Sequence, residues 1–166
     1  MFSPPQGDHE DRPYVSPMGE KYFNHQEAEA LLPLIGPFLE DARKQKQTVD
    51  GLASEIAKAT SQIMLLGGSI PPCAELSQKK TEYDQTTARL EESVNKIQQM
   101  GCLVKDLDEG LVDFLCLLGG EEVYLCWKLG EERIGFWHGI DEGFAGRKPL
   151  DDSGSQEPPK DPRRVQ

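Results

Sequence analysis

The feature that most limits what this chain can fold into is a long apolar seam of helical period. Ile35, Phe38, Ala42, Gln45, Val49, Leu52, Ile56, Ala59, Ile63 and Leu66 succeed one another at alternating spacings of three and four. That spacing lays a single stripe along one side of a helix, and Gln45 is its one polar member. A rod from Phe38 to Leu66 would be roughly 43 Å long at 1.5 Å per residue. Gly67, Gly68 and Ser69 stop it, and Pro71–Pro72 suits the first turn of a second helix. The return carries Leu76, Lys80, Tyr83, Thr87, Leu90, Val94 and Ile97, again at four and three, and Gly101 stands where a left-handed C-terminal cap is wanted. So short a connector forces the helices antiparallel. With Lys80 and Thr87 at core positions the second seam is the weaker, so the hairpin needs a further surface: the rest of the chain or another copy.

The start of the first helix is marked by chemistry. Asn24 followed by Glu27 forms a capping box, in which each side chain satisfies the other residue's backbone N–H. Tyr22 and Phe23 precede it and can pack on the first turn. Pro33 and Pro37 each remove an intrahelical donor, so a short helix ending near Leu32, or a kink, is expected before the rod.

Beyond Gly101 the period changes. Cys102–Lys105, Leu111–Phe114, Val123–Leu129 and Arg133–Trp137 are short apolar, β-branched and aromatic runs separated by Asp, Glu and Gly. Gly119–Gly120 turns one hairpin and Gly130–Glu131–Glu132 the next, with a loop through Gly143–Gly146 at the end. The expected class is α+β: a long antiparallel helical hairpin over 21–101, with a short proline-interrupted helix at its base, then a small antiparallel sheet of three or four strands over 102–150. Residues 1–20 and 151–166, rich in Pro, Gly, Ser and charge, read as a disordered arm and tail.

Charge narrows the function classes. The 166 residues hold 18 Lys plus Arg against 29 Asp plus Glu, a net charge of -11, and such a chain repels phosphate, so nucleic acid is a disfavoured partner. Residues 102–150 carry 10 acids and 5 bases, against 11 and 8 in residues 24–100, so the β-rich part is the more acidic. No apolar run reaches the roughly 18 residues of a membrane span, and the N-terminus lacks the basic and apolar regions of a signal peptide. Cys73, Cys102, Cys116 and Cys126 show no CxxC spacing, and the last two sit in apolar runs as small buried hydrophobes. A reduced, cytoplasmic protein is expected.

Side chains capable of chemistry concentrate in the β-rich part. Asp106, Asp108 and Asp113 come early in it; His138, Asp141, Glu142 and Arg147 follow the last strand. A histidine with several carboxylates can hold a divalent metal or share a proton, and His138–x–x–Asp141 fits two ligands from one turn. The plainer reading is local: such aspartates commonly cap turns, and Arg147 pairs with one of them. Trp127 and Trp137 flank the Gly130 turn as a cross-strand core pair or, alternatively, an aromatic surface for a peptide or base. No GxGxxG, P-loop or GxSxG occurs.

DLDEGLVDF (106–114), EVYLCWKLGEE (122–132) and FWHGIDEGFAGRKPL (136–150), with the helical opening YFNHQEAEALLPLI (22–35), resemble the prokaryotic family known as domain of unknown function 2203. The resemblance covers roughly residues 21 to 150 and leaves both tails outside. It implies no activity, since the family has no assigned function, and no catalytic residue is carried over from it. On the residues themselves, the leading expectation is a non-enzymatic interaction or scaffold protein that meets a protein partner or its own copy through the hairpin, with no cofactor. The alternative is an enzyme, or a binder of a divalent metal or small ligand, using the polar residues of the β module.

Overall fold

In the computed structural model, which describes residues 21–67 and 73–150, two helices pack side by side and are followed by a five-stranded antiparallel sheet, an α+β fold. Helix α1 spans His25–Leu65 and helix α2 Cys73–Gln99. The strands are β1 (Leu103–Asp106), β2 (Leu111–Leu118), β3 (Glu121–Lys128), β4 (Phe136–Gly139) and β5 (Lys148–Pro149), arranged as a meander in chain order. The expected arm 1–20, tail 151–166 and Pro71–Pro72 helix start lie outside the described residues.

The capping box forms as expected: Glu27 N–H donates to Asn24 Oδ1 at 2.8 Å, and Asn24 N–H donates to Glu27 Oε2 at 3.0 Å. The separate short helix does not form. One helix of 41 residues runs through both Pro33 and Pro37. Both prolines lie on its exposed side, where carbonyls left without an N–H partner can turn to water. The opposite side carries Ala28, Leu32, Ile35 and Leu39, all buried against the sheet. Burying that stripe outweighs the two missing hydrogen bonds.

The sheet receives the stripe on the face formed by Val112, Phe114, Cys116, Val123, Leu125, Trp127 and Trp137. Phe23, just before the cap, packs edge-on against Phe114 with ring centroids 5.4 Å apart, and its N–H donates to Leu115 O at 2.7 Å. The preceding residue also ties to the sheet, Tyr22 Oη donating to Glu122.

The hairpin seam is real but uneven. Ala42, Leu52 and Ile97 are buried, whereas Val49, Ile56, Ile63, Tyr83 and Leu90 are only half-buried. Lys80 is exposed and outside the seam; its neighbour Lys79 instead pairs with Glu55 across the hairpin at 2.9 Å. Thr87 does face inward, and its hydroxyl is buried with no hydrogen-bond partner among the described residues. Ser93 is buried beside Asp41 and Gln45, at 3.3 and 3.5 Å, making a polar layer across the two helices.

Gly101 adopts φ +96 and ends α2 as expected. Gly119 and Gly120, both at positive φ, make the two-residue turn between β2 and β3. The fourth strand begins at Phe136 rather than Arg133, with Ile134 tied instead to the start of α1. His25 Nε2 lies 2.8 Å from Ile134 O, and Ile134 N–H donates to Glu29 Oε1 at 3.2 Å. The segment expected to end as a loop contains a 3-10 turn (Phe144–Gly146) and the short β5.

Replacing Pro33 with alanine restores a helix donor at an exposed position. It should raise the urea midpoint by an amount equivalent to as much as about 3 kcal/mol; an unchanged midpoint would mean that α1 has already compensated for the proline.

Candidate functional site

Period-two alternation sorts the sheet side chains onto two faces. Val112, Phe114 and Cys116 stand opposite Trp127, Leu125 and Val123 on the helix side. The intervening residues therefore project from the far side. There Asp113 on β2 is directly opposite Cys126 on β3, while His138 on β4 is opposite Tyr124, two residues away along β3. All three are buried, with 1% of Asp113, 1% of Cys126 and 3% of His138 exposed.

His138 reaches over β3, placing Nε2 3.0 Å from Asp113 Oδ2. Its Nδ1 lies 2.9 Å from the carbonyl of Gly139. A carbonyl only accepts, so Nδ1 carries a proton, and the contact with Asp113 requires one further proton shared between ring and carboxylate. Asp113 Oδ1 is buried with no hydrogen-bond partner among the described residues. Burial first, and then the adjacent Asp113 carboxylate, push the Cys126 thiol up to about 12, with Arg147 opposing. Cys126 is thus held as a thiol, and neither imidazole nitrogen is left free to act as its base. That geometry does not suit nucleophilic catalysis. One ligand atom from each of Asp113, Cys126 and His138 lies within 4.8 Å of the others.

Arg147 closes the cluster. Its guanidinium stacks over Phe136 at 4.1 Å and Phe144 at 4.8 Å, donates to both Glu131 carboxylate oxygens at 3.0 and 2.8 Å, and reaches Cys126 O at 3.3 Å. Its Nε is buried without a partner among the described residues.

The other sequence candidates do not join this cluster. Asp106 caps the β1–β2 turn by accepting from Glu109 N–H at 2.9 Å. Exposed Asp108 pairs with Lys46 of α1 at 3.1 Å; together with Asp50 it raises the lysine's pKa, Asp50 contributing most. Asp141 lies exposed in the turn after β4. Glu142 accepts from Gly139 N–H at 2.8 Å and pairs with Lys148 at 3.1 Å; the first contact and then the second hold its carboxyl below the usual range. Through Gly139 it braces the carbonyl that His138 faces. His138 turns into the sheet and Asp141 outward, so the two do not come together as ligands from one turn.

Trp127 and Trp137 form no exposed aromatic surface. They are 4% and 8% exposed within the core, and Trp127 Nε1 donates to Glu131 O at 2.9 Å. Cys126 was missed because its apolar neighbours suggested a packing role. The alternation of Leu125 and Trp127 about it was the signal that it faces the other way.

A second region stands apart, at the far end of the hairpin. Met64, Leu65 and Leu66 are exposed there by 79%, 85% and 67%. Beside them a groove of about 360 Å³ has Ala59, Ile63, Leu66 and Leu76 in its lining, together with Glu55, Lys58, Glu75 and Lys79.

Replacing Asp113 with alanine strands His138 in the buried cluster and should cost about 3–5 kcal/mol in chemical denaturation. Stability should also depend on alkaline pH. Burial raises the thiols of Cys102 and Cys116 from 9.0 to about 11 and, as its largest cause, that of Cys126 from 9.0 to about 12. Above pH 9 the unfolded chain releases thiol protons that the folded chain keeps, so stability falls as pH rises from 9 through 11–12. The Cys116→Ala variant should show a shallower decline; an unchanged slope would refute this account.

No helix among the described residues is long and apolar enough to cross a membrane. No curated protein and no solved structure shows significant similarity to this chain. A family model described as "Uncharacterized conserved protein (DUF2203)" matches residues 21–150, taking in both helices and the whole sheet with its buried cluster. The chain belongs to the domain of unknown function 2203 family.

Proposed function

We propose that this protein acts by self-association, two copies meeting through the far ends of their helical hairpins. The observation that carries this reading is the run Met64–Leu65–Leu66, three large apolar side chains exposed in succession beside an apolar groove. Near its start α1 is covered by both the sheet and α2, and five of its six buried residues, Ala28 to Ala42, lie there. Beyond Leu52 the seam thins to half-buried residues on two helices. Of the groove's charged residues Glu55 and Lys79 pair with each other, which leaves Glu75 and Lys58 as the opposite charges that a two-fold-related copy can set face to face.

Magnitudes limit how tight the contact is. Six apolar side chains, three from each copy, contribute about 12 kcal/mol at roughly 2 kcal/mol each. Association costs on the order of 4–15 kcal/mol. The expected dimer is therefore weak and concentration-dependent. The candidate cluster does not suit a thiol nucleophile, because burial holds the Cys126 thiol protonated and both nitrogens of His138 are engaged.

Size-exclusion chromatography with light scattering is the direct test. The mass should rise from the 18.5 kDa of one chain toward twice that value with loading concentration. Met64→Glu/Leu65→Glu should stay at 18.5 kDa with an unchanged circular dichroism spectrum. A wild-type protein that remains monomeric at its highest soluble concentration would end this reading, as would a double variant that still dimerises.

A further inference from the structure

The buried cluster on the far face of the sheet suggests a second property, independent of the hairpin. We propose that Asp113, Cys126 and His138 form a binding site for one divalent metal ion of the zinc class.

The donor set is the first argument. A carboxylate oxygen, a sulfur and an imidazole nitrogen come from three neighbouring strands and lie within 4.8 Å of one another. In a tetrahedral centre with bonds of about 2.0–2.3 Å, ligand atoms sit about 3.3–3.6 Å apart. His138 Nε2 and Asp113 Oδ2 are already at 3.0 Å, so small side-chain movements suffice. Mixed sulfur and nitrogen donors suit zinc-class ions and not Mg²⁺ or Ca²⁺, which take mainly oxygen ligands.

The second argument is the support around the donors. His138 Nδ1 faces the carbonyl of Gly139 at 2.9 Å, which leaves Nε2 as the metal-facing nitrogen. A ligating histidine is ordinarily oriented in this way through its other nitrogen. Gly139 is itself fixed by Glu142, which accepts its N–H at 2.8 Å.

The third argument is an unmet demand. Asp113 is 1% exposed, and its Oδ1 has no hydrogen-bond partner among the described residues. A buried carboxylate oxygen without a donor is costly, and a cation bound by this carboxylate offsets that cost. Charge also balances. The thiol proton and the proton shared by His138 and Asp113 pass to solvent, and the resulting thiolate and carboxylate neutralise the two positive charges of the ion. Arg147 does not upset this balance, because Glu131 meets its charge at 2.8 Å. Three protein ligands leave a fourth position for water or the second carboxylate oxygen.

The test uses the full-length chain, stripped with chelator and titrated with Co²⁺ both in the folded state and during refolding from urea. One equivalent should produce tetrahedral cobalt bands and a thiolate-to-cobalt charge-transfer band, and Zn²⁺ should bleach both. Cys126→Ser should lose the charge-transfer band, whereas Cys102→Ser and Cys116→Ser keep it; His138→Gln and Asp113→Asn should lose the tetrahedral bands at one equivalent. Absence of the charge-transfer band in the wild type, or its survival in Cys126→Ser, overturns the proposal. If Cys126→Ser does not fold, X-ray absorption on the Zn²⁺-loaded wild type decides. One sulfur among nitrogen and oxygen neighbours supports the site; an all-oxygen shell, or one with more than one sulfur, refutes it. The hairpin variant Met64→Glu/Leu65→Glu should bind Co²⁺ as the wild type does, so loss of self-association and loss of metal binding are separable.

Discussion

The packing of α1 onto one face of the sheet is the contact on which the rest of the structure depends. Ala28, Leu32, Ile35 and Leu39 meet Val112, Phe114, Leu125 and Trp127 in a single apolar layer. Neither partner is self-sufficient. The helix has two prolines in this stretch, and a five-stranded sheet with an uncovered apolar face would not remain soluble. Burial of the shared layer holds α1 helical through Pro33 and Pro37 and fixes which sheet face points inward.

That choice of face has a chemical consequence. Because side chains alternate along a strand, every residue between two core positions goes to the other side. Asp113 lies between Val112 and Phe114, and Cys126 lies between Leu125 and Trp127. The register of β2 on β3 sets these two opposite each other, and β4 brings His138 over the strand between. A slip of one residue in any of these pairings would send the polar groups into the helix-facing core. The apolar packing and the polar cluster are two sides of one register.

The two regions of interest differ in physical character. The cluster is buried and braced: Glu142 holds it through Gly139, and Arg147 closes it through Glu131 and two aromatic rings. The hairpin end is exposed, with its seam only half-buried and its groove edged by both charges. Stability is expected to decline along α1 from sheet to tip, since the number of packed layers falls from two to one. A buried cluster at one end and an exposed apolar run at the other fit that gradient.

Local chemistry in the sequence determined much of this. The Asn24–Glu27 capping box, the seam from Ile35 onward, the Gly101 cap and the Gly119–Gly120 turn all act within a few residues, so each was legible from spacing and residue type. The continuity of α1 was not, because helix propensity alone predicts a break at Pro33, and only burial against a sheet distant in sequence overrides it. Lys80 likewise fits the heptad by count, yet lies exposed, while its seam neighbours Leu76 and Tyr83 are half-buried and Ile97 is buried. The site shows the same division. His138 and Asp113 were visible as polar groups in an apolar module, but Asp106, Asp108, Asp141 and Glu142 looked equivalent to them. Cys126 looked like core, and the tryptophans, read first as a core or cross-strand pair, kept an aromatic surface as the alternative. Which of these meet was decided by the pairing of β2 and β4 on either side of β3, which lets His138 reach Asp113 across the middle strand, and that meeting depends on tertiary packing that no local pattern encodes.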